Sequence, residues 1–454
     1  MDGKLVDFPS GSSSQGKCDL PLVRPFQYRI RRSFCVSKPK LPIRIFLNAN
    51  IPVGQLALRR RSHKFRLHSR LMVVSMNKLL KLMPCLAATM AIAVAPIASA
   101  HACTALLYID AKGLAYKART MEYDFRPPTA LTYMPAGTSI ESMTPDSKPA
   151  AKFQTKYAIL GMTFPAEMVP NGKNLIFVDA MNDQGLSFSG NQQNNSKTPP
   201  MGNDPSKIVS SADFGAWLLG NFKTVAEAKA AIEATDFWLP NIPFSGNVPL
   251  PLHYAIWDKA GNGIVLEFLN GKKVVYDNPV GALTNGPEFS WHLTNLNNYT
   301  MSNVDQNVAQ FGKLKAMTDD GGIALSALPS AQTAAGRFVK AAFYVNYVKK
   351  AETPDEAVLM LGHIINNFDR PHDLTVDKGP GMGDGPRGKG KASEVTEWTV
   401  MNDLTRNLHY TRSINSLNFT LVDMNKLKDV KKIKSLSSYE VGKHGVDATS
   451  SFLN

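Results

Sequence analysis

The chain is poor in cysteine, since its 454 residues contain only four, at positions 18, 35, 85 and 103. From residue 103 onwards Cys103 stands alone, so this part of the chain cannot form an internal disulfide. Residues 103–454 also carry no net charge, because they hold 34 basic and 34 acidic side chains. Nucleic-acid binding needs basic residues clustered on the folded domain. The sequence therefore argues against that function.

Metal and nucleotide motifs are missing as well. The histidines of residues 103–454 are scattered, and none has the H-x-x-x-H spacing that is typical of metal ligands. The glycine-rich stretch 378–391 lacks the G-x-x-x-x-G-K-[ST] order of a phosphate-binding loop. Its composition is typical of a flexible surface loop. We therefore expect no metal and no other cofactor.

The whole net charge of +14 lies before residue 103. Residues 1–75 carry 15 basic and 3 acidic side chains and are interpreted as a basic extension that is disordered or not translated. Residues 76–102 combine a short positive start, an apolar run and small residues, which are the three parts of a secretory signal peptide. A retained membrane anchor is the alternative, but Pro84 and Pro96 interrupt the run. The sequence thus predicts an exported, periplasmic protein of a bacterium, with no stable membrane anchor after processing.

Two cleavage sites fit the small-x-small rule, after Ala100 and after Ala102. The second exposes Cys103 directly. The first leaves two residues, which attack of the Cys103 thiol on the Ala102 carbonyl could remove. An N-terminal cysteine combines a nucleophile with a base, because an α-amine with a pKa of about 7.7–8.0 can accept the thiol proton.

Two other interpretations of Cys103 stay open at this point. Free cysteines are often buried and inert in a core. Cys103 could also be a lipid-attachment point of a binding protein, although Ala100 occupies the position where lipoprotein signals usually have leucine.

Residues 103–124 predict a β-hairpin, because two apolar runs flank a short connection that contains Gly113. Paired positions then sum to 224, which places Cys103 opposite Met121. Arg119 and Glu122 fall close to the cysteine in this register. Arg119 would favour a thiolate and Glu122 would hold the α-ammonium group, whereas an ordinary strand ion pair is the alternative.

Seven short stretches in the same order point to a known family. They are C-T-A-L-L at 103–107, A-R-T-M-E-Y at 118–123, V-D-A-M-N-D-Q-G-L at 178–186, L-H-Y-A-I-W-D-K-A-G at 252–261, Y-D-N-P-V-G-A-L-T-N-G-P-E-F-S-W-H-L-T-N-L at 276–296, G-R-F-V-K-A-A-F at 336–343 and T-E-W-T-V-M-N-D-L at 396–404. Through them the chain from Cys103 onwards resembles the choloylglycine hydrolase and penicillin V acylase family of N-terminal-nucleophile hydrolases.

The resemblance implies an α+β fold for 103–454, a four-layer αββα sandwich, and a set of site residues. Cys103 matches the nucleophile, with Arg119 beside it, and Glu122 stands where the family commonly has aspartate. Asn285 matches an oxyanion-binding asparagine, and Arg337 matches a second active-site arginine. Counting from the N-D-Q-G-L stretch gives Gln192 as the other oxyanion donor, with Asn191 one residue away.

The resemblance also implies a reaction and partners. The reaction is hydrolysis of a linear, non-peptide amide in an acylated small molecule, such as penicillin V, a conjugated bile salt or an N-acyl homoserine lactone. An acyltransferase of the same fold is the alternative. The family also implies a homo-oligomer.

Local patterns predict several elements. Thr224 with Glu227 has the spacing of a helix capping box, and residues 353–356 predict the start of another helix with Pro354 at its first position. Apolar residues at helical spacing predict a helix over 337–348 that opens on Arg337. Strand-like runs occur at 253–258, 263–267, 272–276 and 408–412.

Overall fold

The computed structural model describes residues 102–453 except 244–246, 301–307, 319–320, 379–390 and 445–446. The basic extension, the signal peptide up to residue 101 and most of the glycine-rich stretch therefore lie outside the described residues. In the described ranges, no helix has the length and apolar character needed to span a bilayer.

The described chain is rich in short strands, most of which pair in the antiparallel direction. They are β1 (Cys103–Ile109), β2 (Ala115–Tyr123), β3 (Ala130–Met134), β4 (Ser139–Met143), β5 (Pro149–Gln154), β6 (Ile159–Phe164), β7 (Ile176–Asn182), β8 (Leu186–Gln192), β9 (Ile208–Ser210), β10 (Asp236–Trp238), β11 (Asn241–Ile242), β12 (Val248–Pro249), β13 (Leu252–Asp258), β14 (Gly263–Leu269), β15 (Lys272–Asp277), β16 (Ala282–Leu283), β17 (Val308–Phe311), β18 (Leu314–Met317), β19 (Val376–Lys378), β20 (Lys391–Ser393), β21 (Val395–Asp403), β22 (Leu408–Ser413), β23 (Thr420–Asp423) and β24 (Lys434–Ser437).

Helices alternate with the strands from residue 214 onwards. They are α1 (Phe214–Asn221), α2 (Val225–Ala234), α3 (Phe289–Asn295), α4 (Ala334–Tyr347), α5 (Pro354–Ile365), α6 (Ser438–Val441) and α7 (Ser450–Leu453).

Two large antiparallel sheets form the centre of the fold. Sheet A has the strand order β16-β1-β2-β21-β22-β23, and sheet B has the order β15-β14-β13-β8-β7-β6-β3-β24. Helices α4 and α5 pack on the outer face of sheet A, and α1 and α2 pack on the outer face of sheet B. One apolar core includes side chains of both sheets and of α4 and α5, and a second lies under α1 and α2. This arrangement confirms the predicted α+β fold with four αββα layers.

The predicted hairpin is confirmed in its register. Strands β1 and β2 pair with Cys103 opposite Met121 and Ile109 opposite Ala115. The Asp110 carboxylate accepts hydrogen bonds from the backbone N–H groups of Lys112 and Leu114, and this closes the turn. Glycine 113 has a φ of 79°, a conformation that side chains with a Cβ rarely adopt. The four strand-like runs of the second half are also strands.

Helix starts are where the sequence predictions need correction. Helix α4 begins at Ala334, because the Thr333 side chain accepts a hydrogen bond from the Gly336 N–H, so Arg337 lies one turn inside the helix. The predicted start of α5 at Pro354 is confirmed, and the structure adds a capping box between Thr353 and Glu356 there. The predicted capping box of α2 is only half formed, because the Glu227 carboxylate accepts from the Lys223 N–H and not from Thr224.

Candidate active site

Strand register places Cys103 between two partners. On one side it pairs with Met121 of β2. On the other side Ala105 pairs with Leu283 of β16, and continuing this antiparallel register two residues brings Cys103 level with Asn285. The Cys103 backbone N–H donates to Asn285 Oδ1 at 2.9 Å. Backbone pairing thus brings together two residues that are far apart in the sequence.

The Cys103 side chain is 2% exposed and points between the two sheets. Its Sγ lies 3.4 Å from Arg119 Nη2 and 3.5 Å from Met121 Sδ. Burial raises the pKa of the Cys103 thiol, and the Arg119 guanidinium opposes that rise. The sulfur is therefore a thiol whose ionisation depends on the neighbouring arginine.

Arg119 is held rigidly from several directions. Its guanidinium donates to the carbonyl oxygens of Val178 and Gly190 in sheet B. Its Cζ also lies 5.3 Å from the centroid of the Trp398 ring, which is a cation–π distance. These contacts hold the guanidinium group beside the sulfur in a position that is buried from water.

Arg337 connects helix α4 to the end of strand β1. Its guanidinium donates to the Cys103 carbonyl oxygen, to Thr104 Oγ1 at 2.8 Å and to Asn285 Oδ1 at 2.8 Å. Burial lowers the pKa of Arg337 to about 10, so the side chain remains charged at neutral pH. The Asn285 side chain is thereby oriented, because only its oxygen can accept from both Cys103 and Arg337. Its Nδ2 donates to the Gln192 carbonyl oxygen at 3.0 Å.

The structure distinguishes Gln192 from Asn191. Gln192, at the end of β8, lines the cavity next to Asn285. Asn191 points to the opposite face and donates to the carbonyl oxygens of Leu283 and Thr284. Asn191 therefore joins the two sheets, and Gln192 is the member of the pair that faces the cavity.

Glu122 is buried beside the start of β1. Its backbone N–H donates to the Ala102 carbonyl oxygen at 3.0 Å, and its Oε1 accepts from Thr396 Oγ1 at 3.0 Å. Burial raises the pKa of Glu122, and the charges of Arg370 and Arg337 oppose the rise. Within the part of the chain that the structure describes, Glu122 Oε2 has no hydrogen-bond partner.

A cavity of about 630 Å³ adjoins these residues. Its wall includes Ala102, Gln192, Asn285, Arg337, Arg370 and Glu394. Arg370 and Glu394 form a buried ion pair in this wall. Ala102 forms part of the cavity wall and is the residue directly before Cys103. Removal of Ala102 and the residues before it would therefore open the cavity towards the backbone nitrogen of Cys103.

Two buried histidines hold the segment that carries Asn285. His253 Nε2 lies 3.0 Å from the Thr284 carbonyl oxygen, and His292 Nε2 lies 2.9 Å from the Asn285 carbonyl oxygen. A carbonyl only accepts, so both imidazoles carry a proton on Nε2. Burial lowers the pKa of His292 to about 4, which keeps that ring neutral at pH 7.

Glu267 completes this support. Its Oε1 lies 3.0 Å from His253 Nδ1 and accepts from Gln193 Nε2 at 2.7 Å and from the Phe289 N–H at 3.0 Å. One carboxylate oxygen thus ties together the end of β8, strand β13 and the start of α3. Sequence analysis did not single out these residues, although a histidine and a glutamate inside apolar strand runs are a recognisable signal.

No three His, Cys, Asp or Glu side chains in the described ranges come together in a way that could hold a metal ion.

The sequence profile of the linear amide C–N hydrolases, choloylglycine hydrolase family, matches residues 103–435, and the chain belongs to this family. It is thus a linear amide hydrolase with the fold of the N-terminal-nucleophile hydrolases. Among curated proteins it is 30% identical over 334 residues to the bile salt hydrolase/transferase of Clostridium perfringens, covering 71% of this chain and 93% of that protein. It is 25% identical over 281 residues to the penicillin V acylase of Pectobacterium atrosepticum, covering 58% and 66%.

Solved structures agree with this assignment. A mutant of the conjugated bile acid hydrolase from Clostridium perfringens superimposes with a TM-score of 0.61 at 27% identity, covering 74% of this chain and 96% of that chain. The penicillin V acylase from Agrobacterium tumefaciens gives a TM-score of 0.56 at 25% identity, covering 74% and 91%.

Proposed function

We propose that Cys103 becomes the N-terminal residue and cleaves the amide bond of an acylated small molecule, with its own α-amine as the base. The observation that carries this proposal is the position of Cys103, whose sulfur touches Arg119 while its backbone nitrogen faces Asn285. The family match also begins at this cysteine. An N-terminal amine supplies a base on the same residue, so no catalytic histidine is needed.

The proposed reaction has two halves. Cys103 Sγ attacks the amide carbon, and the thiol proton passes to the α-amine. The carbonyl oxygen becomes negative and is stabilised by Asn285 Nδ2, with Gln192 as the second donor. The C–N bond then breaks, the leaving amine takes the proton, and a thioester on Cys103 remains. Water attacks the thioester under the same base, which releases the carboxylic acid and restores the thiol.

Glu122 and Arg337 serve as orienting groups in this proposal. After removal of Ala102, the new α-amine carries additional N–H groups at this position. Asn285 Oδ1 already accepts from the Cys103 nitrogen, and Glu122 Oε2 is a buried acceptor that the described residues leave unpaired. Arg337 holds both Asn285 and the Cys103 carbonyl. The amine is thereby directed towards the thiol of its own residue.

The substrate class follows from the family and from the relatives. Those relatives are named for bile salts and for penicillin V. For this chain we propose that the substrate is an acylated small molecule in the bacterial periplasm. The enzyme reaches it by export and becomes active when residues 1–102 are removed. Transfer of the acyl group to an amine is the second candidate function. An amine could attack the thioester in place of water, and this step would use the same catalytic groups as hydrolysis.

The first test is the intact mass of the protein purified after export. We expect a chain that begins at unmodified Cys103 and that releases amines from a panel of phenoxyacyl, cholyl and acyl-homoserine-lactone amides. A lipid-modified cysteine, or an active chain that retains residues before Cys103, would contradict the proposal. Product analysis with and without an added amine separates hydrolysis from acyl transfer.

Replacement of Glu122 provides a second test. Glu122→Asp keeps the carboxylate with a side chain one methylene shorter and should retain activity within about tenfold, whereas Glu122→Gln should lose about 10²-fold. Since burial raises the pKa of Glu122, parent activity should fall as the pH decreases through that raised pKa. Protonation of the α-amine lowers kcat/KM in both proteins as the pH falls, and the additional loss that follows protonation of Glu122 should be missing from the Glu122→Gln profile. Equal inactivation by both substitutions would mean that the carboxylate is not the functional group.

A further inference from the structure

A buried cluster of charged side chains lies between the sheets, next to Arg119. It contains Lys117, which lies two residues before Arg119 on β2, and Asp179 of β7. Lys117 Nζ is 2.5 Å from Asp179 Oδ2, and both side chains are fully buried. Lys117 Nζ also donates to the Phe188 carbonyl oxygen at 3.0 Å, and Ser189 Oγ donates to Asp179 Oδ2 at 2.6 Å. Burying two charges is expensive even when they are paired, and an apolar pair would often be more stable. Packing alone therefore does not explain why a lysine and an aspartate occupy these two positions.

The cluster reaches the cysteine through Arg119. Lys117, Arg119 and Met121 alternate along β2 and so share the face that is turned towards sheet B. Asp179 Oδ2 lies 3.9 Å from Arg119 Nη1, while Arg119 Nη2 touches the Cys103 sulfur. One carboxylate thus faces two cations, and the three groups together carry a single positive charge.

We propose that Lys117 neutralises Asp179 and thereby keeps the positive charge of Arg119 available to the sulfur of Cys103. Lys117 is in this sense a tuning residue, since it acts through Arg119 and does not touch the reacting atoms. If Lys117 were uncharged, Asp179 would pair with Arg119 and cancel much of its field at the thiol. The inference rests on the proposed function only in that a thiolate at Cys103 is taken to be useful.

The other charged and titratable groups near the cluster stay unchanged in the test below. Near the cysteine they are Glu122, Arg337 and Tyr123, and near Lys117 the nearest is His409. Burial and then the charge of Lys117 lower the pKa of His409 to about 3, so this ring is neutral at pH 7. Burial lowers the pKa of Lys117 itself to about 8. The lysine is therefore charged at neutral pH but depends on Asp179 to remain so.

A double-mutant cycle tests the proposal. Lys117→Met should leave Asp179 to Arg119 and raise the pKa of the Cys103 thiol by about one unit, which is about tenfold slower alkylation at neutral pH. Asp179→Asn removes the counterion, so Lys117 loses its proton, Arg119 remains the single cation, and the thiol changes little. The double variant should restore the parent pKa, because no carboxylate is left to pair with Arg119.

The measurement is the pH dependence of iodoacetamide alkylation, followed by mass spectrometry on the peptide that contains Cys103. Ultraviolet thiolate absorbance on the same processed protein gives a second reading, with Cys103→Ser as the blank. Lys273→Met is the matched control, because Lys273 is a partly buried lysine of β15, at the far edge of sheet B. The control should leave the thiol pKa unchanged.

Two outcomes would overturn the proposal. The first is an unchanged thiol pKa in Lys117→Met. The second is an equally raised pKa in Lys117→Met and in the double variant, since that would mean that the lysine acts only through packing. Alkylation reports on Cys103 whether or not this residue is the nucleophile. Failure of the proposed function would appear separately, as retained turnover in Cys103→Ser.

Discussion

Replacing Cys103 by serine should reduce the turnover of acyl amides by at least about 10³-fold while the protein stays folded. Serine occupies nearly the same volume in this buried position, so the hairpin and its register are preserved. An alcohol is a far weaker acid than a thiol, and the α-amine and Arg119 cannot ionise it at neutral pH. The loss should therefore appear in kcat and not in KM.

The measurement is steady-state kinetics on the best substrate of the panel, together with thermal unfolding and the intact mass of the variant. The mass is essential, because serine could also stop removal of the residues that precede position 103. A variant that begins at residue 103 and lacks turnover supports the nucleophile. A variant that begins there and retains full activity excludes it.

Removing the Asn285 amide should have the second largest effect. Asn285→Ala should lower kcat by about 10²–10³, the usual loss for one oxyanion donor. Asn285→Asp is the sharper substitution, because an aspartate oxygen can still accept from the Cys103 nitrogen and from Arg337 but cannot donate to an oxyanion. We expect both variants to lose turnover, and Asn285→Asp to remain closer to the parent in thermal stability.

Asn278 offers a matched control for this prediction. Its side chain donates to the Ala282 carbonyl oxygen and accepts from the N–H groups of Val280 and Gly281, so it shapes the turn that leads into β16. Asn278→Ala should cost stability and leave kcat nearly unchanged. If Asn278→Ala and Asn285→Asp lost activity and stability in the same proportion, Asn285 would be a structural turn residue and not a donor.

The sequence predicted the parts of the site that depend on short-range order or on family resemblance. The Cys103 hairpin lies within 22 residues, and a three-residue turn sets its register, so the pairing with Met121 could be counted directly. Counting could not separate Gln192 from Asn191, because a shift of one residue reverses the face of a strand. The contacts of Asn191 with the Leu283 and Thr284 carbonyls, and the position of Gln192 in the cavity wall, settle which side chain faces the cavity.

Contacts between distant segments were beyond the sequence. Lys117 and Asp179 are 62 positions apart, and His253, which holds the Thr284 carbonyl, lies 31 positions before it. A β-bulge between Met121 and Glu122 also changes the pairing of β2 with β21, and a simple hairpin register does not reveal it. The start of α4 was misplaced because its apolar spacing begins only at Phe338, whereas Thr333 caps the helix five residues earlier.

The alignment of Cys103 with Met121 on one side and Asn285 on the other has a consequence for how this enzyme could diversify. Strands β1 and β2 carry the sulfur and its arginine, and the amide follows two residues after β16, so paired backbone holds the three groups in fixed positions. Much of the cavity wall comes instead from the loop residues 194–195 and from residues 332–334 and 375–376, where loops enter α4 and β19. Exchanging those segments should change which acyl group is accepted while bond cleavage itself is preserved, which makes them the natural targets for redirecting the enzyme.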